Sequence, residues 1–366
     1  MDESSSLILI GVGGSGCAAA RAIAENYGGT MRARLVDTDA LTPAGALPFT
    51  LIGGSRLSGQ GAGGAATKAR AAFLDDPAIL DAGLSGVKLA IVVTCLGGGT
   101  GGGATPEILK RLKSKGIASL VFATKPFPFE GEARISRANS DAGLVAQEAD
   151  VSVILPMEDI ALDTDDPART LKDALDAATA ALAKGVSLFW RLLEKPGYIK
   201  FDPERLRNIL SDAGRARFAA VTASGEDRVS EILSRLESAA SLQRGARGRV
   251  KTIFLGLLAG DDLRLSEIAK ITQALAATFG AEASLELGTV NDEETFSGSL
   301  SLVTLLFEEG ARSRAQTRSR QNRAVRSAGE IALSADDRFR MTDATMLGDT
   351  NLDIPTYYRL ELTLER

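Results

Sequence analysis

The sequence predicts an α/β protein whose main sheet is mostly parallel. Short apolar runs of strand length alternate with helix-forming segments across residues 7–155, and three clusters of glycine fall within residues 11–103. A long stretch rich in Ala and Leu, residues 170–193, separates this half from a second set of apolar runs. Alternating strands and helices imply a sheet covered by helices on both faces, with ligands bound beyond the carboxyl ends of the strands.

The first half is predicted to contain five strands, each followed by a polar or Gly-rich loop. The first strand runs into GVGGSG at 11–16, after which residues 18–25 favour a helix. The third strand runs into GGGTGGG at 97–103, and a helix is expected to begin near Pro106. The predicted strands are residues 7–10, 34–36, 89–95, 120–123 and 151–155.

Residues 170–193 are predicted to form a long central helix, because Asp166-Pro167 precedes them and Lys195-Pro196-Gly197 follows them. A smaller α/β unit is predicted beyond this helix. Its strands are expected at residues 218–223, 251–258, 283–289 and 299–307, and its helices at residues 228–242 and 265–279.

Composition excludes several kinds of chemistry. The chain of 366 residues contains no His, which rules out a Ser-His-Asp triad, a Cys-His pair and a His-ligated metal. Two Cys are too few for a secreted disulfide framework, and the N-terminus has no basic segment followed by a long apolar run. We therefore expect a cytoplasmic protein that does not insert into a membrane.

Charge is distributed unevenly along the chain. The net charge is −5, although residues 311–328 contribute six Arg and no acidic residue. The acidic remainder argues against general nucleic-acid binding. The basic run is predicted to be a flexible tether, and contact with an anionic membrane or a nucleic acid is the alternative.

The glycine clusters predict phosphate binding. Closely spaced glycines between a strand and a helix let backbone N–H groups approach phosphate oxygens at the positive end of the helix dipole. GVGGSG also fits the dinucleotide pattern, with Asp37 about 20 residues further on as a ribose-binding acid, and a tight turn without a ligand is the alternative. GGGTGGG is a second such turn, which a dinucleotide fold does not need and which lacks the Lys-Ser or Lys-Thr of a P-loop.

These segments resemble the successive nucleotide-binding loops of the FtsZ branch of the FtsZ/tubulin superfamily. The matching segments are GVGGSG at 11–16, DTDAL at 37–41, RLSGQGAGG at 56–64, GGGTGGGATP at 97–106 and TKPFPFEGEAR at 124–134. The segments that resemble the family's catalytic loop and activation domain are KPGYIKFD at 195–202, ASGEDR at 223–228 and GDDLRLSEI at 260–268.

The resemblance implies the tubulin/FtsZ-like fold, with a Rossmann-like parallel sheet, a central helix and a smaller C-terminal α/β domain. The implied parts are a nucleotide-binding domain over 1–169, the central helix over 170–194, an activation domain over 195–309, a flexible Arg-rich linker over 310–350 and a partner-binding peptide over 351–366.

The resemblance also implies that GTP or GDP binds among these loops with Mg²⁺, which has no direct protein ligand. The implied nucleotide-binding residues are Gly13, Gly14, Ser15, Gly16, Cys17, Ala18, Asp37, Asp39, Gly61, Gly63, Gly98, Gly99, Thr100, Gly101, Gly102, Gly103, Glu130, Arg134, Leu175 and Thr179. Three of them depart from the family pattern. Ala18 replaces an Asn that reads the base, Thr179 replaces an acid or amide that pairs with guanine, and Leu175 replaces a stacking ring.

The catalytic loop departs from the family as well. The family pattern Asn-x-Asp-x-x-Asp reaches from one subunit to the nucleotide of the next, and here its three positions read Lys200, Asp202 and Arg205. The implied catalytic residues are Asp202, Arg205 and the adjacent acid Glu204. Because an arginine stays protonated and cannot act as a base, we expect GTP hydrolysis to be slower than is normal for the family.

The resemblance implies a GTP-binding protein of bacterial cell division that polymerises head to tail and works at the division septum. One alternative is a filament or scaffold paralogue that binds nucleotide with little or no hydrolysis. Another, an NAD-dependent oxidoreductase, rests only on GVGGSG and Asp37.

The C-terminal peptide resembles the family segment that docks membrane anchors and other division proteins. Its implied partner-binding residues are Leu352, Asp353, Ile354, Pro355, Tyr357, Tyr358 and Arg359. A tail that packs on its own chain is the alternative.

Overall fold

The structure is a computed structural model of the full chain. It describes residues 6–160, 170–195, 197–201, 203–239, 242, 250–280, 282–308, 346–347 and 350–351. Within them the predicted fold class is confirmed, because a large and mostly parallel sheet carries helices on both faces.

One sheet of ten strands runs through the chain in the order β3-β2-β1-β4-β5-β6-β7-β10-β8-β9. All neighbouring strands are parallel except β10, which runs antiparallel to both β7 and β8. The strands are β1 (Leu7–Val12), β2 (Ala33–Asp37), β3 (Phe49–Leu51), β4 (Leu89–Cys95), β5 (Ala118–Lys125), β6 (Val151–Pro156), β7 (Gly214–Ser224), β8 (Val250–Ala259), β9 (Ser284–Asn291) and β10 (Ser299–Glu308).

The helices pack against the two faces of this sheet. They are α1 (Gly13–Tyr27), α2 (Gly54–Leu57), α3 (Ala66–Leu74), α4 (Thr100–Ser114), α5 (Glu132–Glu148), α6 (Met157–Ile160), α7 (Leu171–Glu194), α8 (Pro203–Ala213), α9 (Arg228–Ser238), α10 (Leu265–Phe279) and α11 (Glu293–Phe296), with short 3-10 turns at Pro77–Leu80 and Pro128–Glu130. The described part of the chain contains no helix long and apolar enough to cross a membrane.

Strand β1 shows how the two cores are divided. All six of its residues are buried, and successive side chains point to opposite faces of the sheet. Leu7 and Leu9 pack in the core beneath α1 and α7, whereas Ile8 and Ile10 pack in the core beneath α4. A strand buried on both faces therefore has a continuous apolar sequence, as parallel strands usually do.

The predicted central helix is α7. Thr170 caps its first turn, because the Thr170 hydroxyl accepts a hydrogen bond from Asp173 N and the Asp173 carboxylate accepts one from Thr170 N. Near its other end, Phe189 and Trp190 are fully buried, so packing holds the helix in place along its C-terminal half.

Several predicted boundaries were wrong. Helix α1 begins at Gly13 rather than at Ala18, and α4 begins at Thr100 rather than near Pro106, which lies inside the helix. The prediction assumed that glycines stay outside helices, whereas here their missing side chains let two helix starts pack closely. The helix predicted over 228–242 ends at Ser238.

The second half is not a separate sheet. Strand β7 pairs in parallel with β6 at only two positions, Val151 with Gly214 and Ser152 with Arg215, so the strands of the second half extend the first sheet. Strand β3 and helices α5 and α8 had not been predicted.

The compact unit that holds this sheet spans residues 1–313. In the second unit, residues 314–366, the described residues form one short antiparallel pairing of Met346–Leu347 with Thr350–Asn351. The rest of the predicted linker and of the predicted C-terminal peptide, including residues 352–359, lies outside the described residues.

Candidate nucleotide-binding site

The two glycine turns lie side by side. Strands β1 and β4 are parallel neighbours, with Val12 opposite Thr94, so the turns that follow them emerge at the same edge of the sheet. Their backbones touch, since a Cβ atom placed on Gly13 would lie 3.0 Å from Gly101 N. Helices α1 and α4 begin at these turns and no side chain caps either one, so two sets of helix N-terminal N–H groups converge on one place.

Close packing accounts for most of the glycines in the second turn. A Cβ atom would lie 2.2 Å from Cys95 O at Gly101, 2.0 Å from Asp141 Oδ2 at Gly102 and 2.0 Å from Ala66 O at Gly103. Gly98 differs, because a Cβ atom there would meet nothing within 4 Å. The open side of the turn therefore lies at Gly98, which leaves space for a ligand.

The first turn also contains both closely packed glycines and a glycine with open space beside it. A Cβ atom at Gly16 would lie 2.6 Å from Val93 O, whereas the nearest atom to one at Gly14 is Asp37 Oδ2 at 3.8 Å. Gly14 and Ser15 are exposed, while Gly13, Gly16 and Cys17 are buried. Gly14 and Ser15 are thus the residues of this turn that a ligand can reach.

Cys17 packs beneath the first turn. Its thiol donates to Gly11 O and Val36 O, and burial, helped by the nearby Asp37 carboxylate, raises the pKa of Cys17 to about 12. Burial also raises the pKa of Cys95. Because the thiolate is the reactive form, neither thiol is suited to nucleophilic chemistry.

The loop after β2 is tied to the second glycine turn. Thr38 Oγ1 and Thr100 Oγ1 are 2.7 Å apart and share a hydrogen bond. Asp37 is buried, and its carboxylate accepts from Thr38 N at 2.7 Å and from the Thr42 hydroxyl at 2.6 Å. Asp37 therefore shapes this loop, whichever ligand it also contacts.

Asp39 lies nearer the surface of the same loop. Its carboxylate accepts from Leu41 N at 2.9 Å. Gly61 N donates to Thr38 O at 3.1 Å, and Gly61 and Gly63 have left-handed φ values of 75° and 57°. The Gly-rich loop at 56–64 is thereby held beside Asp39 and faces the second turn, where a Cβ atom on Gly99 would lie 2.8 Å from Ala62 Cβ.

Glu130 and Arg134 form an ion pair beside the second turn, with 2.8 Å between Glu130 Oε2 and an Arg134 terminal nitrogen. Glu130 Oε1 accepts from Phe127 N at 2.8 Å. Arg134 Nε is buried and has no hydrogen-bond partner within the described part of the chain. A buried guanidinium donor without a partner next to two glycine turns suits an anionic ligand.

A small recess opens beside the first turn. Its lining residues are Ser15, Gly16, Ala19, Val93, Thr94, Thr124, Met157, Ala178, Thr179 and Leu182. Among these lining residues there is no carboxylate or amide side chain. The Thr179 hydroxyl donates to Leu175 O within helix α7, and Leu175 packs with Phe127 and Met157 instead of lining the recess. Ala18 is half-buried and does not line it.

The predicted catalytic residues that the structure describes lie away from the glycine turns. Glu204 and Arg205 belong to α8, and Asp202 lies outside the described residues. The Glu204 carboxylate accepts from Lys88 Nζ at 3.1 Å and from Arg207 at 2.9 Å, and the hydrogen bond from Lys88 lowers the pKa of Glu204.

Lys88 gives the position of Glu204 relative to the glycine turns. Lys88 directly precedes β4, and the second glycine turn directly follows it. At about 3.3 Å per residue this strand of seven residues spans roughly 20 Å. Glu204 therefore lies at the opposite end of β4 from the glycine turns.

Two residues that support the site had not been predicted. Thr38 bonds to Thr100, and Asp141 on α5 accepts from Gly97 N at 2.9 Å while burial raises the pKa of Asp141. Thr38 stands between the two aspartates that the sequence had singled out. Nothing in the sequence marked Asp141, since α5 itself had not been predicted.

The fold and these loops define a class of protein, namely an α/β protein with a candidate nucleotide site at two adjacent glycine turns. The model of the Tubulin/FtsZ family, GTPase domain, matches residues 6–162. A cell division protein FtsZ of Pseudomonas putida is 31% identical over 293 residues, covering 78% of this chain and 72% of that protein. A cell division protein FtsZ of Pseudomonas aeruginosa is 29% identical over 358 residues, covering 96% of this chain and 88% of that protein.

Solved structures show the same fold. An empty FtsZ dimer from M. jannaschii gives a TM-score of 0.75 at 23% identity, covering 84% of this chain and 89% of that one. CetZ2 from Haloferax volcanii, solved as a GTPγS-bound protofilament, gives 0.71 at 21% identity, covering 88% and 99%. The chain belongs to the Tubulin/FtsZ family.

Proposed function

We propose that this chain binds GTP and GDP with Mg²⁺ at the two glycine turns and assembles head to tail into filaments, in which it hydrolyses GTP slowly. The observation that carries the proposal is the separation of the glycine turns from Glu204 by the length of β4. One copy cannot bring these groups together. A second copy stacked on the first, end to end, can do so, because a head-to-tail contact joins opposite ends of identical subunits.

The residues fit the proposed nucleotide. Backbone N–H groups at the starts of α1 and α4 and the buried Arg134 Nε supply donors for phosphate oxygens. The described residues contain no group of three Cys, Asp or Glu side chains placed to hold a metal, so Mg²⁺ would be held mainly by the phosphates. The predicted carboxylates beside the turns are Asp39 and Asp37, whose Oδ2 would lie 3.8 Å from a Cβ atom at Gly14. When bound, the metal neutralises charge on the transferring phosphate.

Slow hydrolysis follows from the catalytic loop. Arg205 cannot take a proton from water, and Glu204 is engaged by Lys88 and Arg207. Asp202 is then the acid that positions water for the nucleotide of the next subunit. Phosphate release from concentrated protein with GTP and magnesium tests this: Asp202→Ala should abolish the residual turnover, and a rate typical of the family would contradict the proposal.

The residues that the resemblance assigns to base recognition differ in this chain, so the first property to measure is which base the site binds. The described residues that line the recess include no carboxylate or amide side chain, so none of them offers the donors on the guanine edge an acidic partner. Chromatography of the nucleotide released from purified protein should show GDP or GTP. Release of NAD instead would favour the oxidoreductase interpretation.

A filament or scaffold protein with little or no hydrolysis is the second candidate, favoured by the ion pair of Arg205 with Glu286. Filaments that persist in GTP without releasing phosphate would support it.

The relatives named as cell division proteins support a role for this chain at the division septum. In that role residues 351–366 would bind a membrane anchor or another division protein. Deletion of 351–366 should leave polymerisation intact and remove recruitment to the septum.

A further inference from the structure

Helix α5 holds the first residue of the second glycine turn at both of its backbone polar groups. Gly97 N donates to Asp141 Oδ2 at 2.9 Å, and Gly97 O accepts from Arg137 Nε at 3.4 Å. Asp141 and Arg137 are four residues apart, so they lie on the same face of α5. A Cβ atom on Gly97 would lie 2.6 Å from Arg134 O, so the turn packs directly against this helix.

Asp141 fills the space that a second glycine leaves beside it. A Cβ atom on Gly102 would lie 2.0 Å from Asp141 Oδ2, and Asp141 is only 6% exposed. Burial raises the pKa of Asp141, while the hydrogen bond from Gly97 N and the charge of Arg137 oppose that rise. A buried carboxylate is unfavourable unless it accepts hydrogen bonds, so the bond from Gly97 N fixes the two groups relative to each other.

This arrangement sets the direction of the next backbone N–H group. The peptide group that joins Gly97 to Gly98 is trans and planar, so Gly97 O and Gly98 N–H point in opposite directions. Because Gly97 O points toward Arg137 on α5, the N–H of Gly98 points away from that helix. Gly98 is also the glycine of this turn with open space beside it. Its N–H group is therefore directed away from the packed side of the turn.

We propose that Asp141 and Arg137 are positioning residues for nucleotide binding, because they hold the Gly97 peptide group so that Gly98 N–H donates to a phosphate oxygen. The ligand is the polyphosphate of a guanine nucleotide, so the inference rests on the proposed function. A donor whose direction is fixed in advance needs no ordering when the ligand arrives. Asp141 and Arg137 act through the turn and do not themselves contact the phosphates.

The first test compares Asp141→Ala with Asp150→Ala in the full chain. Asp150 is a matched control, because its carboxylate accepts from Ser119 N at 2.8 Å near the start of β5, at the end of the sheet away from the glycine turns. Titration with a fluorescent GDP analogue and magnesium measures the affinity at a protein concentration too low for assembly. Asp141→Ala should bind about tenfold more weakly, whereas Asp150→Ala should bind as the wild type does. Equal weakening in both variants would show a general loss of stability and contradict the inference.

Two further variants separate the position of the turn from charge. Asp141→Asn keeps an oxygen that can accept from Gly97 N, so its affinity should stay within about twofold of the wild type. An affinity as low as that of Asp141→Ala would mean that the charge matters and the hydrogen bond does not, against the proposal. Arg137→Met removes a longer hydrogen bond and should bind about threefold more weakly. Should Asp141→Ala fail to fold, wild-type affinity in Arg137→Met overturns the proposal instead.

A double variant locates the effect at Gly98. In Gly98→Ala the added methyl group already keeps the phosphate from this N–H, so the direction of the N–H no longer matters. Adding Asp141→Ala to Gly98→Ala should therefore cause no further loss of affinity. Additive losses would show that Asp141 acts at another place in the site, which is not what we infer.

The outcomes separate the two proposals. If the wild-type chain binds no guanine nucleotide, the proposed function fails. If the wild type binds and a folded Asp141→Ala binds equally tightly, the proposed function stands and the inference about α5 is overturned.

Discussion

At the residue scale, the glycines of the second turn fall into two kinds that mutation can separate. Gly103→Ala would place a Cβ atom 2.0 Å from Ala66 O, which is backbone and cannot move aside. Such overpacking costs about 1–3 kcal/mol, so the melting temperature should fall by several degrees. Gly98→Ala meets no atom within 4 Å and should leave the melting temperature within about 2 °C of the wild type.

The same pair of variants tests the position of the phosphates. A methyl group at Gly98 would stand on the open side of the turn and keep phosphate oxygens from the backbone N–H groups. Titration with a fluorescent GTP analogue should show affinity reduced about tenfold for Gly98→Ala. Wild-type affinity in that variant would mean that Gly98 does not face the nucleotide.

The ion pairs of Asp81 lead to a prediction about how the stability of the fold depends on pH. Hydrogen bonds from Arg111 and Lys115 lower the pKa of Asp81 from 3.8 to about 2. A lowered carboxyl pKa stabilises the fold at pH values above the unfolded pKa, and that contribution disappears as the pH falls through the folded pKa. Asp81→Asn should therefore lower the melting temperature near pH 7.

The difference in melting temperature between Asp81→Asn and the wild type should narrow below about pH 4 and vanish only below about pH 2, where the wild-type carboxyl is also protonated. Thermal unfolding of both proteins in buffers of different pH measures this difference in melting temperature. A constant difference across that range would show that the ion pairs of Asp81 with Arg111 and Lys115 do not stabilise the fold.

At the element scale, hydrogen bonds join the C-terminal end of α7 to the C-terminal end of α1. The Glu194 carboxylate accepts from Tyr27 Oη at 2.9 Å and from Trp190 Nε1 at 2.7 Å, and burial together with Glu194 raises the pKa of Tyr27 to about 12. Arg191 donates to Tyr27 O at 2.6 Å and lies 3.8 Å from Asp292. The end of α7 is thus connected to both halves of the sheet.

Glu194→Ala should destabilise the protein strongly, because it removes the acceptor from two buried donors, Tyr27 and Trp190. The expected loss is about 2–4 kcal/mol of the free energy of unfolding. Urea unfolding followed by the fluorescence of Trp190, the single tryptophan, measures it. Glu25→Ala, at an exposed position on α1, is the control, and equal stability of the two variants would contradict the role given to Glu194.

Sequence patterns predicted elements best where the hydrophobic pattern stops at a charged residue or a glycine. β4 and α10 have the predicted ends, because the apolar run of β4 follows Lys88 and stops before the second glycine turn, and the amphipathic repeat of α10 lies between Arg264 and Gly280. The starts of α1 and α4 were misjudged, since intrinsic propensity disfavours glycine in helices while the packing of Gly101–Gly103 requires it. Helix α5 was not predicted, because its mixed composition shows no clear helical pattern. Asp141 on this helix nevertheless supports the second turn.

At the scale of the whole molecule, the sequence predicts which loops meet at the glycine turns but not where Glu204 lies. Gly13, Gly98, Glu130 and Arg134 come from loops that one parallel sheet necessarily gathers at one edge, so their proximity follows from the fold class. The position of Glu204 at the far end of β4 depends on how α8 packs after the central helix. No local pattern records that long-range contact.

The last prediction concerns the two different ends of the subunit. If hydrolysis needs the glycine turns of one subunit and Asp202 of the next, a variant impaired at either end hydrolyses GTP poorly when it is alone. Gly98→Ala retains an intact Asp202 end, and Asp202→Ala retains an intact nucleotide end. Mixing them creates contacts in which both ends are intact, which random pairing gives in up to about a quarter of the contacts.

At a GTP concentration that occupies the site of Asp202→Ala but little of the weaker site of Gly98→Ala, an equimolar mixture should therefore release phosphate faster than the two variants do separately. Mixing either variant with additional copies of itself is the control for protein concentration. A mixture that stays inactive, although Asp202→Ala binds GTP and both variants are folded, would contradict catalysis between subunits. Activity in Asp202→Ala alone would contradict the role of that acid, because no complementing subunit is then needed.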